Sequence, residues 1–197
     1  MNRGDLEQGI IDYMKRPDLA PVTPLFITQA TARIAQRLQA RANEVYLTGQ
    51  AYTDSTFQLP SDAERLRSVV TERNGRKVIL RSLNDEAAAR YSTPGSGAAV
   101  GYQLRADTLY LFPPGSGVLD IGYWQRPAEL STATSTNKVL DAHPGLYLFA
   151  SLIEGYIYIQ DDDMAAGMAN VYLAHLEDIN YNERRRKLGS VPAMGAA

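Results

Sequence analysis

Near residue 43 the apolar residues of this chain stop recurring at helical spacing and begin to fall in short runs between turn formers; beyond residue 131 the helical spacing returns. A three-to-four-residue period buries one stripe of a helix, whereas a two-residue period buries one face of a strand, so no single element type satisfies both. The expected fold class is therefore α+β, a helical bundle with an inserted antiparallel β-sandwich-like region. Two N-terminal helices over 1–43 and a C-terminal antiparallel helical hairpin over 131–187 form the bundle, the β region spans 44–130, and 188–197 is expected to be a flexible tail. A chain of 197 residues is long enough to bury such cores without a disulfide or metal staple.

Within the helical parts, Leu6, Ile10, Ile11 and Met14 predict a first helix over 4–15 that stops ahead of Pro17. Ile27, Ile34 and Leu38, with the small Ala30, Ala35 and Ala42, predict a second from Leu25 to Ala42. Its polar side carries Arg33, Gln36, Arg37 and Arg41. After a polar Ser/Thr-rich connector over 131–137, a third helix is expected from Asp141 to Ile159, with Asp141 or His143 near its cap and Pro144 in its first turn. Its stripe of Leu146, Phe149, Ile153 and Ile157 faces a fourth helix carrying Met164, Met168, Tyr172, Leu176 and Ile179. The break over 160–163 is so short that the two must run antiparallel.

In the β region, segments 44–52, 56–59, 64–71, 76–81, 100–105, 108–112 and 117–125 are rich in Val, Ile, Leu, Tyr and Thr and are separated by turn formers. A short helix ending near Arg90 decorates them, capped by Ser82 or Asn84. The Pro-Gly-Ser-Gly sequences at 94–97 and 114–117 are expected to be turns.

Chemistry is conspicuous by what the residue types withhold. Without cysteine there is no thiolate metal cluster and no Cys nucleophile. The three acids Asp161, Asp162 and Asp163 suit a helix N-terminus better than a hard-cation site, since carboxylates there accept backbone N–H groups and face the positive end of the dipole. Neither glycine loop carries the lysine of a phosphate-binding loop, and the two histidines, His143 and His175, have no Gly-x-Ser-x-Gly elbow to serve. No enzyme activity and no cofactor are expected. No apolar stretch reaches the length that spans a bilayer, and a net charge of −2 argues against a protein built to grip nucleic acid.

One charge run stands out. Arg184, Arg185, Arg186 and Lys187 close the last helix, either as a solvated end that complements the dipole or as a docking point for an acidic partner. The tail that follows carries Val191 and Met194 as apolar anchors on a segment able to order on binding.

Several stretches together resemble a known family. They are Phe26-Ile27 with Ile34 and Leu38, Leu59-Pro60-Ser61-Asp62 ahead of a strand, and Tyr123-Trp124-Gln125-Arg126-Pro127. Thr136-Asn137 through His143-Pro144 to Glu154, then Asp161-Asp162-Asp163 and a long helix ending in Asn182-x-Arg184-Arg185, complete the set. Over residues 20–187 the chain resembles the bacteriophage head-to-tail adaptor (connector) proteins. The resemblance implies a virion structural protein of the phage neck, assembled in the host cytoplasm as a homo-oligomeric, dodecameric ring. Its partners would be the portal protein and a distal tail or nozzle protein, with DNA passing through the channel without specific binding. Arg184, Arg185, Arg186, Lys187, Val191 and Met194 are the residues expected to meet the portal. The competing expectation is a β-rich binding or scaffold module for a carbohydrate or protein, with Trp124 and the tyrosines as its stacking surface.

Overall fold

The computed structural model describes residues 1–91, 93 and 99–187, without the side chain of Lys187. The 94–97 turn and the 188–197 tail, with Val191 and Met194, therefore lie outside the described residues. The chain is α+β and divides into a helical unit, Met1–Asn43 with the described residues from Arg126 onward, and a β unit, Glu44–Gln125.

Among the described residues six α-helices are present: α1 (Arg3–Met14), α2 (Thr23–Arg37), α3 (Asp85–Arg90), α4 (Lys138–Ala142), α5 (Pro144–Tyr158) and α6 (Asp162–Lys187). In the helical unit, α5 is the shared neighbour of α1, α2 and α6, and it is buried on most of its circumference, from Leu146 and Tyr147 through Leu152 to Tyr156. Leu6 and Ile10 of α1, Phe26 and Ile34 of α2, and Tyr172 and Leu176 of α6 complete the core around it. Full burial of each such aliphatic side chain contributes about 1.5–3 kcal/mol. The ring of Phe149, in the first half of α5, lies 5.2 Å from that of His175, midway along α6, inclined at 55°, as an antiparallel hairpin requires.

Its hinge is short because both ends are capped locally. Gln160 adopts φ +59, and Asp161 accepts the N–H of Met164, while Asp162 and Asp163 sit in the first turn. The acids thus serve the helix start. Among the described residues no group of three or more metal-ligating side chains gathers.

Four details of the helices differ from expectation. The second helix ends at Arg37, five residues early, because Leu38 turns extended and side chains of Asn43 and Asn180 take over the backbone groups that another turn would have used. A separate helix, α4, precedes α5; Asn137 caps it by accepting the N–H of Leu140 and donates to the Tyr147 hydroxyl at 2.9 Å. His143 holds the joint between the two, ahead of Pro144. Ile157 and Met164, expected on the buried stripes, are exposed.

The β unit contains β1 (Glu44–Tyr52), β2 (Thr56–Gln58), β3 (Ala63–Arg73), β4 (Arg76–Ile79), β5 (Arg81–Ser82), β6 (Gly101–Arg105), β7 (Thr108–Phe112) and β8 (Gly117–Gln125). They form two four-stranded sheets, ordered β1-β8-β3-β4 and β2-β7-β6-β5, antiparallel except for the two-residue pair β5–β6. Tyr52, Val69, Leu119, Ile121 and Tyr123 of the first sheet share one core with Leu109 and Leu111 of the second. In β8 the odd positions 119, 121 and 123 point into that core, so its alternation is one-sided at Val118 and Asp120. The segment read as one strand over 76–81 is two: buried Leu80 is a corner at which the chain leaves the first sheet and enters the second. Between β3 and β4, Asn74 and Gly75 take φ +51 and +72, the two left-handed residues of a tight hairpin turn. The cap of α3 is Asn84, whose side chain accepts from Ala87.

Candidate functional site

The buried face of α6 is a regular series, Ala165, Met168, Tyr172, Leu176 and Glu183, at steps of three, four or seven. Between the last two, Asn180 joins α6 to the end of α2, accepting the N–H of Gln39 at 2.8 Å and donating to the carbonyl of Arg37 at 3.1 Å. Glu183 ends the series with its side chain 8 % exposed, which demands a cation. Two are supplied. Arg41, from the turn Arg41–Asn43, lies 3.2 Å away, and Arg186, one turn along α6, lies 3.3 Å away.

His143 belongs to the same end of the helical unit. Burial holds its imidazole below the usual pKa, Arg186 adds to that depression, and the Glu183 carboxylate opposes it. This histidine is a joint residue whose surroundings favour the neutral form, and among the described residues no carboxylate is hydrogen-bonded to it.

The helical step sorts the charge run. Arg184, Arg185 and Arg186 are all exposed, but only Arg186 returns to within reach of Glu183, while Arg184 lies a quarter turn from it and Arg185 on the far side. Arg185 lies over the exposed ring of Tyr181 at 5.8 Å, a contact that leaves its charge unneutralised. Lys187 ends α6. Of the six residues expected at the docking point, then, Arg184 and Arg185 are exposed with no carboxylate partner among the described residues, and Arg186 is exposed but paired to Glu183. The signal for that division was in the sequence, in the three-residue spacing of Glu183 and Arg186. Asn180 and Arg41, which hold the helix end in place, carried no such signal because their partners are remote in sequence.

Among the described aromatic residues of the β unit, those of the first sheet are either buried or covered by a guanidinium group. Tyr123 is buried in the core, the Arg65 guanidinium stands 5.1 Å over Trp124, and that of Arg67 stands 5.3 Å over Tyr46 while pairing with Glu44. On the same sheet a shallow depression is lined by Thr48, Thr71, Glu72, Lys77 and Asp120, and the Lys77 ammonium fills its polar side by bonding Asp120 at 2.5 Å. Among the described residues no helix is long and apolar enough to cross a membrane.

Compared with known proteins, residues 1–194 match the model of a family described as SU10 adaptor protein. No curated protein matches the chain.

Proposed function

Because this chain belongs to the SU10 adaptor protein family, a family of structural phage head-to-tail adaptors, we propose that it works as one copy in a ring between the portal and the tail. DNA passes through the ring, and no bond is made or broken by the protein. The ring is a dodecamer in this proposal, built in the host cytoplasm and carried in the neck of the virion. A contact repeated head to tail closes when the rotation between copies divides a full turn, and it needs rigid subunits. The α5–α6 hairpin supplies stiffness, through the buried face that runs the length of α6.

The observation that carries the portal contact is the division of the cationic helix end. Arg186 is engaged by Glu183 one turn back, which leaves Arg184 and Arg185 as exposed cations with no carboxylate partner among the described residues. Such guanidinium groups match the carboxylates of a partner bidentately. Lys187, Val191 and Met194 extend the contact in this proposal, with the distal tail protein meeting the ring elsewhere. Removing residues 188–197 and, separately, substituting Arg184→Glu with Arg185→Glu tests it by attachment to purified portal. Attachment lost in both with rings visible by negative stain is the expected result; attachment unchanged in both overturns the assignment.

A further inference from the structure

The charge of this chain is not evenly spread. Residues 65–81 hold Arg65, Arg67, Arg73, Arg76, Lys77 and Arg81 against the single acid Glu72, a net charge of +5, so the remainder of a chain of net charge −2 carries −7. Three of the six cations are engaged: Arg67 by Glu44, Lys77 by Asp120, and Arg65 over Trp124. Arg73, Arg76 and Arg81 are exposed. Among the described residues, none of these three has an ion-pair partner.

Arg73 and Arg76 are moreover direct register partners across the β3–β4 turn. Like charges placed opposite one another oppose strand pairing, and the turn between them is too tight to let the strands splay. Their shared face is the core face of β3, and burial along it falls from Val69 and Thr71, both buried, to the exposed guanidinium pair. The hairpin therefore extends beyond the inter-sheet core and presents two like charges at its tip. A local rule broken at an exposed, rigid position is the mark of a site whose counter-charge comes from outside.

We propose that the tip of the β3–β4 hairpin, with Arg73 and Arg76 as its two prongs, is a contact for the phosphate backbone of double-stranded DNA. Guanidinium groups match phosphate oxygens bidentately. The four tip residues are Arg73, Asn74, Gly75 and Arg76, with no apolar side chain among them. Protein interfaces are anchored by apolar and aromatic groups at their centres, whereas backbone contacts to DNA need only cations and a small obstruction-free tip. Such a contact is independent of base sequence and screened by salt, so it guides a moving duplex without arresting it. It rests on the ring proposal for the source of the DNA, which is the genome in the channel.

The test is fluorescence anisotropy of a labelled duplex with the full chain across a salt series. Wild type is compared with Arg73→Gln/Arg76→Gln and with the control Arg16→Gln/Arg90→Gln, which removes two exposed cations already paired to Asp18 and Glu86. Binding by wild type at low salt, about tenfold weaker in the hairpin variant and with a salt slope reduced by about two, is expected, with the control unchanged. No binding by wild type, equal loss in the control, or polyglutamate binding as tightly as the duplex each overturns the contact. Negative-stain imaging of the same proteins with portal separates the two ideas. Rings intact in the hairpin variant with duplex binding lost supports the contact; rings lost with duplex binding retained overturns it. If wild type forms no ring yet the hairpin variant alone loses DNA, the contact stands and the ring proposal fails.

Discussion

Arg186 follows Glu183 by one turn of the same helix, and its guanidinium stands 3.3 Å from that buried carboxylate. Within a run of consecutive cations, this one serves the fold. Arg186→Ala is expected to lower the free energy of unfolding by about 1 kcal/mol, since Arg41 remains to hold Glu183, whereas Arg184→Ala stays within about 0.5 kcal/mol of wild type. Urea denaturation of the two variants checks the difference.

Asn180 closes the end of α2 from a distance of some 140 residues, with one donated and one accepted hydrogen bond. Asn180→Ala leaves the Gln39 N–H and the Arg37 carbonyl without that partner and is expected to cost about 1–2 kcal/mol. Hydrogen exchange should localise the loss to the 37–39 segment; protection there equal to wild type would contradict it.

How far the sequence foretold these features depended on the range of the interaction involved. Most of the strand segments were legible because alternation and turn formers are local, and β1 and β8 begin and end where expected. The early end of α2 was not, because it is set by Asn180 and Asn43, whereas helical periodicity continues through Leu38. Ile157 lay on the expected stripe and is nevertheless exposed, because α5 is covered on several sides and its solvent face is only its last turn. Leu80 divides one apolar run between two sheets, a decision made by packing that no period of two records. At the helix end the cations were legible as a group, and the three-residue spacing from Glu183 marks Arg186 among them; the burial of Glu183, set by packing, was not legible.

His143 links stability to acidity. Its folded pKa lies below the ordinary 6.5, with burial the largest cause, so the unfolded chain binds the proton more readily than the native one. The stabilisation is complete above that ordinary value and is lost as pH falls through it toward the depressed folded value. A decline in melting temperature between about pH 7 and pH 5 is expected, and His143→Gln should flatten that part of the profile. An identical slope in the variant would assign the decline to other groups.

At the hairpin tip, the like-charge pair predicts that function and stability oppose each other. Arg73→Glu turns the pair with Arg76 into an attractive one and should stabilise the protein by about 0.2–1 kcal/mol. The same change should weaken duplex binding. A melting temperature lowered by Arg73→Glu would show that the two guanidinium groups do not repel across the turn.

The β unit begins with Glu44 and ends with Gln125, and Glu44 is the register partner of Trp124 in the β1–β8 ladder. Its way in and its way out are thus neighbouring rungs, about 5 Å apart. To the helices on either side in sequence, eighty-odd residues of sheet amount to one closed loop with a narrow neck. Strands can be lengthened, traded or pruned beyond that neck like a cartridge while the chain still leaves and re-enters at the same two rungs, so one scaffold can be refitted to new neighbours.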